Sequence, residues 1–143
     1  MNEAKPIFCT ISGVSPDKIC YGLDEKNTDC MALKLLLLSK IADLNSNGVT
    51  DFVCNCEMGI SLWAAEIVLS LRKYNLLRLN IIMPFEEQAS RWSDEWRERY
   101  FKIHEQADCV IILNKHFSDI CYSNCDKFMI DNSDTWLVPT LLT

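Results

Sequence analysis

Several things are scarce in this sequence of 143 residues, and each scarcity excludes something. Basic residues are outnumbered, 14 Lys and Arg against 20 Asp and Glu, and they form no block. A net charge of -6 cannot supply the positive field that non-specific nucleic-acid binding needs, so no nucleic-acid partner is expected. A single nucleotide stays open, because backbone N–H groups and one or two cations suffice to hold it. The longest purely aliphatic run is Leu35–Leu38, far short of the roughly 18 residues a membrane span takes, so no membrane partner is expected either. The start, "MNEAKPIFCT", lacks a basic segment followed by a long apolar core. It is read as having no signal peptide, with the cytoplasm as the expected location.

Metal-site spacing is also missing. There are eight cysteines but no Cys-x2-Cys, and the histidines are only His104 and His116. Cys54-x-Cys56 on a strand and Cys121-x3-Cys125 on a helix could each turn two sulfurs to one face. Without further ligands neither makes a zinc site, and no metal or other cofactor is expected. Thioredoxin spacing and a nearby cation to lower a thiol pKa are absent as well. A disulfide framework suits short, loop-rich chains. Cys9, Cys54 and Cys109 instead lie in apolar runs, where a free thiol acts as a small hydrophobe.

What is present is an alternation of short apolar runs and helical patterns. A chain of this length buries roughly two-thirds of its unfolded surface, enough for one domain over residues 1–143 without cross-links. Strands are expected at Ile7–Ser12, Asp51–Asn55, Leu79–Met83, Asp108–Leu113 and Thr135–Val138. A helix capped by Asn27 or Thr28 carries Leu33, Leu37, Ile41 and Leu44 at helical spacing. A second, about Ile60 to Tyr74, carries Ile60, Trp63, Ala64, Ile67, Val68 and Leu71 on one stripe. A third follows Ser93, with Trp96, Tyr100, Ile103 and Ala107 inward and Glu95–Arg99 and Glu98–Lys102 as outer ion pairs. A fourth follows Ser118 and turns Cys121, Cys125, Phe128 and Met129 inward. Such alternation implies an α/β fold: a mostly parallel five-stranded sheet with helices on both faces. The expected form is a Rossmann-like three-layer sandwich of strand order 3-2-1-4-5. Ligands in such sheets bind outside the carboxyl ends of the strands.

Residues 59–100 carry "GISLWAAEIVLSLRK" and "IIMPFEEQASRWSDEWRERY", followed by "HEQADCVIIL" and "FMIDNSD". From "ISG" at Ile11–Gly13 to Asp134 the chain resembles the YpsA-like branch of the SLOG superfamily, distant relatives of DprA and the LOG phosphoribohydrolases. The resemblance implies a Rossmann-like fold and a nucleotide or nucleotide-derived ligand. It also marks departures. After strand one the family tends to have Thr-Gly-His-Arg-Pro, where this chain has Ser12, Gly13, Val14, Ser15 and Pro16. Cys54 and Asn55 replace a Ser-Gly pair, and Ser61 stands where an aspartate is usual, although Gly59 is kept. Arginines usual in the fourth helix give way to Asn124, Cys125 and Asp126, followed by Lys127. Each change removes a candidate phosphate or ribose contact.

The candidate ligand residues are therefore Ser12, Gly13, Asn55, Glu57, Gly59, Ser61, Phe85, Gln88, Arg91 and Trp92. In "CNCEMGI", N–H groups of Glu57–Ile60 can open a helix toward an anion. Its one glycine is a weak motif, Glu57 would repel a phosphate if it turned inward, and a plain structural turn is the competing reading. Gln88 suits a base or ribose, Arg91 a phosphate and Trp92 a stacked ring; the plainer reading is a loop pinned by a half-buried tryptophan. Asp131, Ser133 and Asp134 suit a ribose or simply a polar loop. No catalytic residue is assigned. An N-glycosidase wants a carboxylate near C1 of the ribose and cations on the phosphate, and only Glu57, Glu86 and Arg91 qualify. The reading is a ligand-binding domain without catalysis, set against an N-glycosidase and against an interaction module with a vestigial crevice. Because the family covers strand five with a further helix, self-association through Trp136, Leu137, Val138, Leu141 and Leu142 is also expected.

Overall fold

A computed structural model describes residues 5–13 and 15–139. Five strands form one parallel sheet: β1 (Phe8–Ile11), β2 (Asp51–Cys54), β3 (Arg78–Met83), β4 (Cys109–Ile112) and β5 (Thr135–Leu137). Between them run α1 (Thr28–Ser46), α2 (Ile60–Arg72), α3 (Asp94–Gln106) and α4 (Cys121–Asp131). Asn27 caps α1 through its side chain, which accepts from Asp29 N at 2.8 Å. The fourth helix begins three residues later than Ser118, which instead offers its carbonyl to Cys121 N.

The Rossmann-like class holds, but the strand order is β4-β3-β2-β1-β5 rather than 3-2-1-4-5. β4 pairs with β3, Ile81 beside Val110 and Met83 beside Ile112. The chain thus steps from β1 to β4 in one direction and returns past β1 to place β5. Successive right-handed crossovers in one direction put their helices on one face. Accordingly α1 packs on α2 and α2 on α3. Leu33, Leu37, Trp63, Tyr100 and Ile103 share one core with Cys9, Ile11, Phe52, Cys54 and Ile81. Among the described residues, only the return crossover, α4, lies on the other face, where Cys125 and Met129 pack on Val53 and Ile82. Thr10 Oγ1 donates to Met129 O at 2.9 Å, and Cys125 Sγ to Ile82 O at 3.3 Å, which fixes α4 to the sheet.

Among the described residues, this order leaves both sheet edges thinly covered. All four residues of β4 are exposed, Cys109 among them, so that thiol is not the buried one the apolar run suggested. At the other edge Trp136 is 58% exposed while Leu137 packs against the main core. Leu141 and Leu142 lie outside the described residues.

The third helix also departs from its expected ion pairs. Arg99 turns inward to Glu25 (2.6 Å) and Glu66 (2.6 Å) and lies 4.5 Å over the Trp96 ring. Lys34 adds a 2.5 Å contact to Glu25. Two carboxylates and an aromatic face outcompete one flexible i,i+4 partner, and together they tie the 24–27 loop to α2 and α3.

Candidate functional site

Because every pairing in the sheet is parallel, all strand carboxyl ends open onto one side. A cavity of about 320 Å³ lies there, beside the ends of β1 and β2 and under α4. Gly13, Ser15, Pro16 and Asp17 line it from the first strand end, Asn55, Glu57, Met58 and Ser61 from the second, and Tyr122 and Asp126 from the helix.

The two strand ends meet at close range. A Cβ on Gly13 would stand 3.2 Å from Ser61 Cβ, so any larger residue would push against the start of α2. Gly59 precedes α2 with φ +98°, a conformation other residues rarely adopt, and faces Pro16 Cγ at 3.4 Å from its ideal Cβ position. Cys56 is itself left-handed at φ 59° and wholly buried. The turn between β2 and α2 is therefore bent tightly and held by packing on Gly13 and Pro16.

Three amide groups ahead of α2 already have partners. Cys56 N donates to Ser61 Oγ at 3.0 Å, Glu57 N to Asn55 Oδ1 at 3.0 Å, and Met58 N to Glu57 Oε1 at 3.0 Å. The other carboxylate oxygen of Glu57 accepts from the Tyr122 hydroxyl. Burial and the adjoining Glu57 carboxylate hold that hydroxyl well above the ordinary tyrosine pKa, so it remains a neutral donor. Asp126 shares the α4 face one turn on, and desolvation raises its pKa. The cavity wall thus carries the carboxylates of Asp17, Glu57 and Asp126, and no Lys or Arg among the described lining residues.

The remaining candidates frame the crevice from outside. Ser12 N donates to Leu137 O at 3.0 Å and joins β1 to β5. Phe85 meets Tyr122 edge to face at 6.1 Å and Phe117 at 5.4 Å, bracing the tyrosine. Gln88 is 4% exposed and acts as a strut: its Nε2 donates to Asn55 O at 3.0 Å and its Oε1 accepts from Tyr100 OH at 3.1 Å. Trp92 packs on Tyr100 with ring centroids 5.1 Å apart, and Arg91 is exposed on the same loop. Arg91 and Trp92 do not line the cavity. Ser133 Oγ lies 2.6 Å from Thr10 Oγ1 and Asp134 Oδ2 accepts from Phe8 N at 2.8 Å, so this loop fastens β1 to β5. The sequence marks Asp126 only as a residue standing where the family has arginines and gives no sign of Tyr122, although their i,i+4 spacing puts both on one helix face.

The thiols suit packing. Burial raises the Cys54 and Cys9 thiols to about 11 and the Cys125 thiol to about 12. Thiols so raised are neither nucleophiles nor ready metal ligands near neutral pH.

Comparison with known proteins agrees with the fold. Residues 9–139 match the YpsA family model, described as the YspA SLOG family. The chain is 29% identical over 126 residues to a UPF0398 protein of Macrococcus caseolyticus, an alignment covering 87% of this chain and 68% of that protein. It is 31% identical over 109 residues to UPF0398 proteins of Staphylococcus aureus strains JH9 and Mu3, covering 74% of this chain and 58% of each of those. The chain therefore spans about three-fifths to two-thirds of the relatives it matches, and it belongs to the YpsA family of SLOG proteins.

Proposed function

We propose that this SLOG-family chain is a binding domain that takes a nucleotide or nucleotide derivative in the crevice under α4 and does not turn it over. The observation that carries the reading is convergence. Gly13, Asn55, Glu57 and Ser61 from two strand ends meet Tyr122 and Asp126 from the one helix on the opposite face, around a cavity large enough for a small molecule. Strand carboxyl ends beside a reversal of strand order are where open α/β sheets bind ligands.

The absence of turnover is argued from what cleavage of an N-glycosidic bond in a nucleotide requires. Departing charge and phosphate need fixed donors. Glu57 spends both carboxylate oxygens on Tyr122 and Met58 N, and Arg91 stands away from the cavity. A thermal-shift panel of nucleobases, nucleosides, nucleoside monophosphates and ADP-ribose tests the reading. Binding to the folded state alone raises the melting temperature with ligand concentration. A concentration-dependent rise with at least one member is expected, lost in Asp126→Arg, which fills the cavity mouth. No rise with any member refutes the binding reading, and rapid release of free base from a nucleoside monophosphate refutes the absence of turnover.

A further inference from the structure

We infer that the outer edge of β4, with the cavity beside its carboxyl end, is a docking site for an extended peptide segment of another protein. The segment adds a strand to the sheet, sets one large apolar or aromatic side chain into the cavity, and brings a basic residue to the cavity mouth. This surface shares no lining residue with the crevice under α4 and stands independently of the function proposed for that crevice.

The edge is the first feature. Among the described residues β4 is the outermost strand and pairs only with β3. Leu113 N donates to Met83 O at 3.0 Å. Backbone groups alternate in direction along a strand, so those of Val110 and Ile112 point away from β3. Natural edges are guarded by Pro, by charged side chains or by bulges. The four residues of β4, Cys109 to Ile112, include no Pro and no charge, and all are exposed. A row of outward N–H and C=O groups is satisfied by an extended chain, which fixes the class of partner.

The cavity is the second feature. It measures about 290 Å³ and is walled by Met83, Ala89, Tyr100, Phe101 and His104. Met83 is paired with Ile112, and paired residues share a sheet face, so the cavity lies on the side of the sheet to which Val110 and Ile112 turn their side chains. Helix α3 meets α2 through Trp96 and Arg99, and Phe101 and His104 lie on its opposite flank, toward β4. Side chains of an added strand alternate between faces, which brings one of them to this space. Where a strand is added to an edge, main-chain bonds give affinity and such pockets give specificity. Rings and a thioether suit a large apolar or aromatic group.

Charge selects among extended segments. Glu86 and Glu87 also line the cavity, are exposed, and form no ion pair among the described residues. A basic residue next to the apolar anchor complements them. A second copy of this chain does not. Two-fold antiparallel pairing of β4 with itself lays the approach to the copy's strand, with Glu105 and Asp108, toward these carboxylates, and like charges facing each other are destabilising.

Fluorescence polarisation on the full chain tests this with a dye-labelled eight-residue peptide that alternates Val and Thr around one central Phe and ends in Lys. Saturable binding to wild type with a micromolar Kd is expected. The same peptide with Ala in place of Phe should bind at least about tenfold more weakly, a comparison that needs no protein variant. Val110→Pro removes an outward N–H and leaves the pairing with β3 intact, the place where an edge strand tolerates proline. It should also weaken binding at least about tenfold. Glu87→Lys, at an exposed position, should weaken binding at low salt and converge on wild type as salt rises. No saturable binding to wild type, or an Ala peptide that binds as tightly as the Phe peptide, overturns the inference. So does binding indifferent to Val110→Pro in protein whose melting temperature matches wild type. A wild-type dimer that Val110→Pro dissociates gives this edge to a second copy and overturns it as well.

Discussion

The hydroxyl of Tyr122 on α4 donates to the carboxylate of Glu57 in the turn after β2, bridging 65 residues of chain across the mouth of the crevice. It is the direct polar link between the solitary helix on one face and the turn that opens α2. Tyr122→Phe keeps the ring contacts with Phe85 and removes only the donor. Hydrogen bonds to charged groups contribute roughly 1.5–3 kcal/mol, and Glu57 is partly solvated, so a loss near the lower end is expected. Urea unfolding checks it, and a double-mutant cycle with Glu57→Gln isolates the pair: a coupling of zero rejects the link.

Gly59 should tolerate no side chain. Its φ of +98° lies where L residues are strained, at a cost of about 1–3 kcal/mol. Gly59→Ala is expected to lose that much stability in the same assay, and to loosen the contact with Pro16. A neutral substitution would show that the loop and helix α2 are not packed as described.

His104 sets an acid-side slope. Desolvation by burial lowers its pKa from 6.5 to about 4, with the ring tilted at 38° against Tyr100, centroids 4.0 Å apart. Between pH 6.5 and 4 the unfolded chain therefore binds the proton and the folded chain does not. Stability is complete above pH 6.5 and falls as the pH drops toward 4, by about 3 kcal/mol. Glu25 is different: hydrogen bonding by Arg99 lowers its pKa from 4.5 to about 2, so its contribution holds above pH 4.5 and fades below it. His104→Phe should flatten the upper window and leave the lower one intact. An unchanged slope between pH 6.5 and 4 would mean His104 is protonated in the fold.

Much of the architecture was legible in the sequence. Strands β1 to β5 announce themselves as short apolar runs, and the stripes of Leu33, Leu37 and Ile41 and of Trp63, Ala64 and Val68 do face the core. Strand order was not legible, because β4 reads "DCVIIL" whether it lies between β1 and β5 or outside β3. Its four exposed residues look in sequence like a buried strand. The strand ends pointed to Gly13, Asn55, Glu57 and Ser61 because a parallel sheet gathers its carboxyl ends. Gln88 illustrates the limit. A polar residue in a loop after a strand looks available, and only the fold shows its amide spent between Asn55 and Tyr100.

We propose that the edge at β5 mediates self-association. Trp136 and Val138 are exposed, and β5 is an edge strand paired only with β1. Burying one large apolar side chain contributes roughly 1.5–3 kcal/mol, and an open edge can template another chain. Sedimentation velocity at low micromolar concentration should show a dimer that Trp136→Lys dissociates. A monomer in wild type excludes the dimer, and a dimer indifferent to Trp136→Lys moves the interface away from β5.

The crevice itself is tested most directly by titrating adenosine into the ¹⁵N-labelled protein and following assigned amide resonances. Saturable shifts should centre on Gly13, Glu57, Ser61 and Tyr122, with the amides of α1 and of the outer faces of α3 unmoved. Shifts that are absent, or that gather on the loop holding Arg91 and Trp92 while Gly13 and Ser61 stay still, would contradict the placement of the ligand site under α4.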